Sequence, residues 1–379
     1  MVKITVIGWY GTETIGDRAI FSGLISLLSE VYKDLEIKLG SLYPTLSHRT
    51  LLEDYNFYCL SAQKTNLSIT VFDSTNVFEL KSAIKWSDLL VMGGGPLMDI
   101  REMNMIKYAF KCAKKNHTKT AMLGCGIGPL TQQKYINTAL SIVSLSDLTI
   151  FRDNKSLFTY HHLRNINTSD CLASIDPALF SAELFKLLYK SNEKENKTVA
   201  INLREIDVHY LTKTPTENIL SLFVNLLQTI TNQHEVLLVP MHTFGIGGDD
   251  RYILNRLAKK VSSKNLLVQN IPLSLEETMK VFYNSTFCIG MRFHAVLLQT
   301  ILSGRNYILD YTNPENGKII NLLNQLDAND FYEYRYYSLV QLNKEIFTPT
   351  DDISQYKVDA AQVCGFKDIY IENIKRLLL

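Results

Sequence analysis

Hydrophobic and polar positions along the chain form two kinds of segment, short runs rich in β-branched residues and longer amphipathic stretches. This alternation is typical of parallel β-α-β units, in which a helix connects each strand to the next. In the N-terminal half the pattern predicts strands at 4–8, 35–42, 88–94, 119–128 and 147–153. It also predicts helices at 17–31 and around 79–86.

A polar, lysine-rich stretch at 186–197 interrupts the pattern and predicts a linker between two domains. In the second series, strands are predicted at 197–204, 235–240, 265–270, 285–290 and 305–311. Helices fit at 216–231, 249–261, 275–283, 293–303 and about 353–378. We therefore expect an α/β fold of two Rossmann-like domains facing a cleft, with domains at 1–185 and 198–345 and a helical tail at 346–379.

The composition excludes several classes of protein. Hydrophobic residues make up 46% of the 379 residues, and 39 Lys and Arg balance 38 Asp and Glu, so the net charge is +1. Such a balance gives no electrostatic footprint for duplex nucleic acid, and we expect no nucleic-acid partner, with a local basic patch left open. The six cysteines form no CxxC pair, and several lie in apolar runs, so most are predicted to be reduced core residues.

Targeting and metal-binding signals are missing from the sequence as well. The N-terminus has no signal-peptide pattern, and no stretch approaches the roughly 20 apolar residues that span a bilayer. We therefore expect a cytoplasmic protein, with peripheral contact at the inner face of the membrane left open. The histidines form no HxH or HxxH pair besides the adjacent His161 and His162, and no metal site is expected.

Glycine-rich turns follow three predicted strands of the N-terminal half. The first, GWYGTETIGDRAI, contains Gly16 and then Asp17, which could cap the next helix. The second, MGGGPLMD, contains Gly94 and Gly95, and the third is GCGIGPL at 124–130. Each alone fits an ordinary strand–helix turn, but the three together favour a ligand surface. The first turn is not GxGxxG, so dinucleotide binding is not indicated.

Cationic residues follow other predicted strand ends. Arg152, Arg204 and His242 each come after a strand, and the strongest segment, CIGMRFHAVLLQTILSG, places Arg292 and His294 at a strand–helix junction. Residues two apart in an extended turn point the same way, so this pair could share one ligand. For Arg152 a surface role stays open. The aromatic run at 331–337 is interpreted as core packing or as a platform for a sugar or lipid-linked substrate.

In chain order, these segments resemble the motifs of the polysaccharide pyruvyl transferase family. The matching pieces are GTETIGD, GGG, GCGIGP, FRDNKS, DPA, the strand-terminal Arg204 and GMRFH. A later segment with Asp310, Tyr311 and Lys318 is similar to the family's closing motif, with a longer gap. The resemblance covers about 8–320. Thr14 stands where the family commonly has Asn.

The resemblance implies a GT-B-like enzyme of bacterial polysaccharide or glycan biosynthesis. It implies transfer of pyruvate from phosphoenolpyruvate, a co-substrate, to hydroxyls of a saccharide acceptor as a ketal, without a cofactor. Arg292 and His294 are then the expected catalytic residues, since arginine suits phosphate and carboxylate and histidine suits proton transfer. Donor binding is expected at Arg204, Arg152, Arg292, His242 and Lys318. The acceptor, which could be lipid-linked, is expected at Gly16, Asp17, Gly94 and Gly95.

Two alternatives remain open from the sequence. A nucleotide-sugar glycosyltransferase of the GT-B type would also use a cationic C-terminal domain for its donor. A non-catalytic saccharide-binding protein is disfavoured because a pure binder needs no general acid, yet the Arg and His set is complete. Nothing in the sequence specifies which sugar is the acceptor.

Overall fold

The computed structural model describes residues 1–165, 171–189, 198–206, 216–245, 248–341 and 348–378. The chain divides into two compact units, one formed by Met1–Glu13, Asp17–Ser181 and Asp359–Leu379 and the other by Thr14–Gly16 and Ala182–Val358. Most of the predicted linker, residues 190–197, lies outside the described part of the chain. The predicted tail at 346–379 is divided between the two units at Val358.

A parallel sheet forms the centre of the first unit. Its strands are β1 (Val2–Ile7), β2 (Leu35–Ser41), β3 (Ser68–Asp73), β4 (Leu89–Gly93), β5 (Pro96–Leu97), β6 (Lys119–Ile127), β7 (Leu148–Phe151) and β8 (Cys171–Ala173). The strand order is β3-β2-β1-β4-β6-β7-β8, and the short β5 pairs with β6. The order reverses direction between β1 and β4, and this reversal defines the switch point of a doubly wound sheet.

The second unit contains another parallel sheet. Its strands are β9 (Thr198–Ile201), β10 (Glu235–Leu238), β11 (Leu266–Val268), β12 (Cys288–Gly290), β13 (Asn306–Asp310) and β14 (Tyr336–Ser338). The strand order is β11-β10-β9-β12-β13-β14, and β9 pairs with β12 through Ala200 to Cys288 and Ile201 to Ile289. The switch point therefore lies between β9 and β12, where ligands of such sheets bind at the carboxyl ends.

Helices connect the strands in both units. They are α1 (Ile15–Val31), α2 (Pro44–Ser61), α3 (Val77–Trp86), α4 (Met103–Lys115), α5 (Gln133–Ser144), α6 (Asn154–Arg164), α7 (Ala178–Leu188), α8 (Thr216–Thr231), α9 (Asp250–Val261), α10 (Leu275–Asn284), α11 (Phe293–Leu302), α12 (Lys318–Gln325), α13 (Asn329–Tyr332) and α14 (Ala360–Leu377). Within the described residues, no helix is both long and apolar enough to cross a membrane.

Each sheet packs its helices through its own hydrophobic cluster. In the first unit, strand residues such as Met92 and Phe151 are buried with Ile106 and Phe110 of α4. The second cluster joins Ile201, Leu238, Ile289 and Leu309 of four neighbouring strands with Phe223 of α8 and Leu254 of α9. These strands read as continuous apolar runs because both faces of a parallel sheet are covered. The predicted α/β class with two parallel sheets is confirmed.

Most of the cysteines, and several residues of the aromatic run at 331–337, are buried in the structure. Five of the six cysteines are buried and free, while Cys364 is exposed, as the prediction of reduced core residues requires. Tyr332 is fully buried, and its hydroxyl donates to Asn306 Oδ1 at 2.5 Å. Tyr337 belongs to the second core, whereas Tyr334 is 83% exposed. Packing is therefore the main role of this run.

Candidate functional site

Polar and cationic side chains meet at the carboxyl ends of β9, β12 and β13 in the second unit. Asn202 and Arg204 follow β9, Arg292 and His294 follow β12, and Tyr311 follows β13. Because β9 and β12 flank the switch point, the topology brings their following loops to the same edge of the sheet. This group of residues, with Lys318 of α12, is called the cationic site below.

Arg292 is fixed at the start of α11 by two interactions from other elements. Its backbone N–H donates to Asn202 Oδ1 at 3.0 Å, and the fully buried Asn202 donates to the carbonyl of Val239 at 3.0 Å. Its guanidinium pairs with the buried Asp250, with Nε 2.8 and 2.9 Å from the two carboxylate oxygens and Nη2 2.6 Å from Oδ1. Nη1 is the guanidinium nitrogen outside this ion pair.

Asp250 itself is held by the backbone of the preceding loop. Its Oδ2 accepts from the N–H groups of Met241 at 3.0 Å and His242 at 3.2 Å. α9 begins at Asp250, and its N-cap is Asp249, which accepts from the backbone N–H of Arg251. The side chain of Asp250 is thereby available for Arg292.

Two further cations surround the phenol of Tyr311. Arg204 Nη1 donates to the Tyr311 hydroxyl at 3.1 Å, and its guanidinium lies 4.9 Å from the ring centroid. Lys318 Nζ lies 5.2 Å from the same centroid. Burial alone would raise the pKa of Tyr311, but Lys318 and Arg204, with a smaller effect of Arg292, lower it to about 8. A positive field that favours the ionised form of a buried phenol is well suited to a small anion.

Asp310 supports the loop that carries Tyr311. Its Oδ1 accepts from the backbone N–H of Thr312 at 2.7 Å, and its Oδ2 accepts from the Tyr336 hydroxyl at 2.7 Å. Burial raises the pKa of Asp310 despite these hydrogen bonds. Asp310 is completely buried, so its carboxylate fixes the strand end and does not itself face solvent.

His294 lies in the first turn of α11, two residues after Arg292, and is half-buried. The second unit includes the segment Thr14–Gly16, which packs beside it. Thr14 forms an isolated antiparallel bridge with His242, and Ile15 N donates to the carbonyl of Met241 at 3.0 Å. A Cβ atom on Gly16 would lie 2.0 Å from His294 Nδ1. Any residue other than glycine at position 16 would therefore clash with the imidazole in its present position.

His242 lies on the same loop as the groups that hold Asp250. It is 9% exposed, and its carbonyl accepts from the backbone N–H of Asp250 at 3.0 Å. The structure therefore brings His242, Arg292 and His294 into one neighbourhood through Asp250 and Thr14–Gly16. Arg204 and Lys318 join the neighbourhood through Tyr311.

Arg152 occupies a different environment, in the first unit. It follows β7, is 7% exposed, and its Nη1 lies 3.5 Å from Oδ2 of the buried Asp176. Asp153 is a second carboxylate partner, with Oδ2 3.5 Å from Arg152 Nε. Pairing with these two carboxylates explains why an arginine is buried at this position without any need for a ligand. Its predicted contact with the donor stays a prediction.

The predicted acceptor residues of the first unit lie near the ends of β1 and β4. Asp17 lies in the first turn of α1, rather than before the helix as a cap, and its Oδ2 is 3.3 Å from Thr12 Oγ1. Gly95 has a φ of +69°, and a Cβ atom there would lie 1.9 Å from Trp9 Cδ1. Gly94 has a φ of +89°, and a Cβ atom there would lie 3.2 Å from Ile20 Cγ2. The positive φ angles and the contact with Trp9 thus explain these two glycines without a ligand.

A buried ion network beside the first of these loops was missed by sequence reasoning. Arg18 of α1 pairs with the buried Asp54 of α2, Nη2 to Oδ1 at 2.7 Å, and with Glu53 at 3.0 Å. Glu13 has a left-handed φ of 60° and pairs with Arg49. Burial raises the pKa of Glu13 even though Arg49 and Arg18 oppose the shift. The residues of this ion network lie up to 41 positions apart in the sequence, and no local pattern links them.

Side chains of the types that bind metal ions do not form a comparable cluster in the described part of the chain. In the described ranges, no three His, Cys, Asp or Glu residues come together as a group that could hold a metal ion.

A family model described as polysaccharide pyruvyl transferase matches residues 15–312, well over half of the chain. The chain belongs to the polysaccharide pyruvyl transferase family. The match contains Arg204, Arg292 and His294 of the cationic site, together with Tyr311. The resemblance predicted from the motifs is therefore confirmed. A search of curated proteins found no match.

Solved structures similar to this pyruvyl transferase family member show its fold. UDP-GlcNAc 2-epimerase from Neisseria meningitidis, bound to UDP-GlcNAc, gives a TM-score of 0.56 at 10% identity, covering 99% of this chain and 100% of the other. A putative UDP-N-acetylglucosamine 2-epimerase from Listeria monocytogenes gives 0.54 at 12% identity, covering 100% and 88%. The Methanocaldococcus jannaschii epimerase, in complex with UDP-GlcNAc and UDP, gives 0.51 at 11% identity, covering 98% and 99%. The predicted GT-B-like fold is confirmed.

Proposed function

We propose that the protein transfers pyruvate from phosphoenolpyruvate to hydroxyls of a saccharide, with formation of a ketal. The observation that carries this proposal is the cationic site, in which Arg204 and Lys318 meet at Tyr311 while Arg292 lies at the adjacent strand end. Phosphoenolpyruvate carries a phosphate and a carboxylate, and three cations at a switch point match this charge.

The ion pair with Asp250 prepares Arg292 for the donor. Asp250 occupies Nε and Nη2, so the guanidinium is held in one orientation before any ligand binds. A planar guanidinium binds an oxyanion best when its orientation is fixed, because less conformational freedom is lost on binding. We assign Nη1 of Arg292, together with Arg204 and Lys318, to the phosphate and carboxylate of the donor. His242 and Arg152 remain proposed donor residues.

His294 is the proposed acid and base of the reaction. It gives a proton to the methylene carbon of the donor while the first sugar hydroxyl adds its oxygen to the central carbon, and the neutral imidazole then takes the proton of that hydroxyl. The carbon–oxygen bond to phosphate breaks, and inorganic phosphate leaves with the electron pair. The second hydroxyl adds to the same carbon and gives its proton to the departing phosphate, which closes the ketal. An imidazole suits both proton transfers because its ordinary pKa is close to neutral pH.

The acceptor residues are proposed from the family and from their positions in loops after strand ends. Gly16, Asp17, Gly94 and Gly95 remain the proposed acceptor residues, and a lipid-linked saccharide is the proposed form of the acceptor. The cytoplasm, including the inner face of the membrane, is the proposed location, and no cofactor is proposed.

Phosphate release from phosphoenolpyruvate in the presence of a panel of saccharides tests the proposal. His294→Asn and Arg292→Gln are expected to lower turnover by at least about a hundredfold, since each removes a group in contact with the reacting donor. Matched controls are His117→Asn, at an exposed residue with a φ of 58° that asparagine tolerates, and Arg256→Gln on the exposed side of α9. Wild-type turnover in both site variants would refute the assignment.

A nucleotide-sugar transferase is the second candidate, because the similar solved structures include epimerases bound to UDP-GlcNAc. Ligand-induced thermal stabilisation separates the two, since only a ligand that binds the folded state raises the melting temperature. Stabilisation by phosphoenolpyruvate is expected. Stabilisation by UDP-GlcNAc or another nucleotide sugar alone would favour the second candidate.

A further inference from the structure

Positive charge is concentrated on three consecutive helices of the first unit. Helices α3, α4 and α5 carry two, four and one lysines, seven in all, against a single acidic residue, Glu79. The rest of the chain carries 32 Lys and Arg and 37 Asp and Glu, once these residues are removed from the totals of 39 and 38. The nearly neutral net charge therefore conceals one strongly basic region.

Helix α4 is divided cleanly into an apolar and a basic side. Met103, Ile106, Ala109, Phe110 and Ala113 are buried against the unit's core. The outer side presents Lys107, Lys111, Lys114 and Lys115 without any acidic residue in the helix. Only Lys114 has a carboxylate partner within the described residues, Asp147. The remaining lysines of α4 are thus available to a partner of opposite charge.

Helix α3 extends this basic surface and adds an exposed aromatic residue. Lys81 Nζ lies 5.8 Å from the ring centroid of Tyr108 on α4, so the two helices are neighbours at this point. Phe78, Lys81 and Lys85 are spaced three and four residues apart, and all three are exposed, Phe78 to 83%. We call the set Phe78, Lys81, Lys85, Lys107, Lys111 and Lys115 the lysine face. Glu79 and Asp88 are its nearest acidic neighbours in sequence.

We propose that the lysine face is a docking surface for an anionic lipid bilayer. Lysines keep their ammonium groups among anionic headgroups while their stems and a neighbouring aromatic ring lie in the interface. Exposed Phe78 favours a bilayer over a polyanionic glycan or a nucleic acid, because a free phenyl ring gains most where it leaves water. This inference goes beyond the proposed function, and it would bring the enzyme to an acceptor carried on a lipid.

Co-flotation of the full chain with vesicles tests the docking surface in the absence of any substrate. Binding is expected to vesicles that contain phosphatidylglycerol and not to vesicles of phosphatidylcholine alone, and it should weaken with salt. The triple variant Lys107→Gln, Lys111→Gln and Lys115→Gln is expected to bind at least about tenfold more weakly. The matched control, Arg256→Gln, Lys259→Gln and Lys260→Gln on α9, loses the same charge from another exposed surface and should bind like the wild type.

Phe78→Ser separates lipid insertion from simple charge attraction. It is expected to weaken binding to anionic vesicles while leaving binding to a soluble sulfated polysaccharide unchanged. The inference is overturned if the wild type fails to bind anionic vesicles, if the α9 control loses as much binding as the α4 variant, or if only the soluble polyanion binds. Turnover of phosphoenolpyruvate with a water-soluble acceptor should be the same in all these variants, so failure here is distinguishable from failure of the proposed function.

Discussion

The carboxylate of Asp250 holds the guanidinium of Arg292 through three close contacts of 2.6 to 2.9 Å. Asp250 is 2% exposed, and the side chain of Arg292 is 17% exposed, so the pair is largely removed from water. The arginine therefore cannot turn toward an anion by itself and must receive the donor in the orientation that Asp250 imposes.

Replacing Asp250 by asparagine should weaken both donor binding and the fold. The neutral amide would leave Arg292 without its counter-charge, and breaking a buried ion pair costs about 3 kcal/mol. We expect the affinity for phosphoenolpyruvate, measured by calorimetry, to fall at least about tenfold, and the free energy of unfolding in urea to drop by a few kcal/mol.

Asp249→Asn is the matched control, since Asp249 also pairs with an arginine, Arg251, but lies at the helix cap. Asparagine caps helices as well as aspartate does, so donor affinity should stay at the wild-type value. Equal affinity losses in the two variants would contradict a specific role for Asp250.

Tyr311 should make the stability of the second unit depend on pH in the alkaline range. Burial opposes its ionisation, yet Lys318 and Arg204 lower its pKa to about 8, while a phenol in the unfolded chain has a pKa near 10. A lowered pKa stabilises the fold fully above the unfolded value, and the stabilisation is lost as the pH falls through the folded value. The difference in free energy of unfolding between wild type and Tyr311→Phe should therefore grow by about 2 kcal/mol from pH 7 to pH 10.

Urea unfolding at several pH values measures this difference, and the tyrosinate absorbance near pH 8 should be missing in Tyr311→Phe. Tyr336→Phe is the control, because burial and the nearby Asp310 raise the pKa of Tyr336. Its difference from wild type should not grow between pH 7 and pH 10. Parallel pH profiles for wild type and Tyr311→Phe would show that the cations do not act on this phenol.

The parts of the fold that sequence reasoning found are those whose signal is local. Each of the ten predicted strands overlaps an observed one, because runs such as Leu89–Gly93 are apolar throughout and end in glycine. The strands it missed lack that signal. β3, β8 and β14 are outermost strands of their sheets with few buried side chains, and β5 is two residues long. Edge position and shortness both weaken a hydrophobic pattern.

The candidate site likewise contains residues that a local sequence signal reveals and residues that no local signal reveals. Arg292 and His294 could be found because a strand–helix junction places them two residues apart in sequence. Asp250 is 42 residues from Arg292 in the sequence. Whether Asp249 or Asp250 pairs with Arg292 depends on the single residue at which α9 begins. Asn202 was missed because a single asparagine after a strand has no distinctive pattern, although its amide ties together β9, the loop after β10 and the start of α11.

Thiol reactivity should report the burial of the cysteines. Burial raises the pKa of Cys125 and of Cys288 to about 12, and both are fully buried, so neither forms thiolate at neutral pH. Ellman's reagent at pH 8 should therefore titrate one thiol in the native protein, that of the exposed Cys364, and all six in urea. Cys364→Ser should abolish the native reaction, and rapid reaction of a second thiol would indicate local opening of the fold.

A methyl group at residue 16 should impair catalysis through His294. The added Cβ of Gly16→Ala would lie 2.0 Å from Nδ1 and 2.5 Å from Cγ of His294, so the imidazole must move away. Displacing a proton-transfer group by about 1 Å lowers turnover by about tenfold to a hundredfold, whereas donor binding at the arginines should change little. We therefore expect kcat for phosphate release to fall while KM for phosphoenolpyruvate stays near the wild-type value.

Gly365→Ala in α14 is the control, because a Cβ atom at that position meets nothing within 4 Å. This variant should leave kcat unchanged and should raise the free energy of unfolding by about 0.5–1 kcal/mol. A wild-type kcat in Gly16→Ala would show that the position of His294 does not limit the reaction.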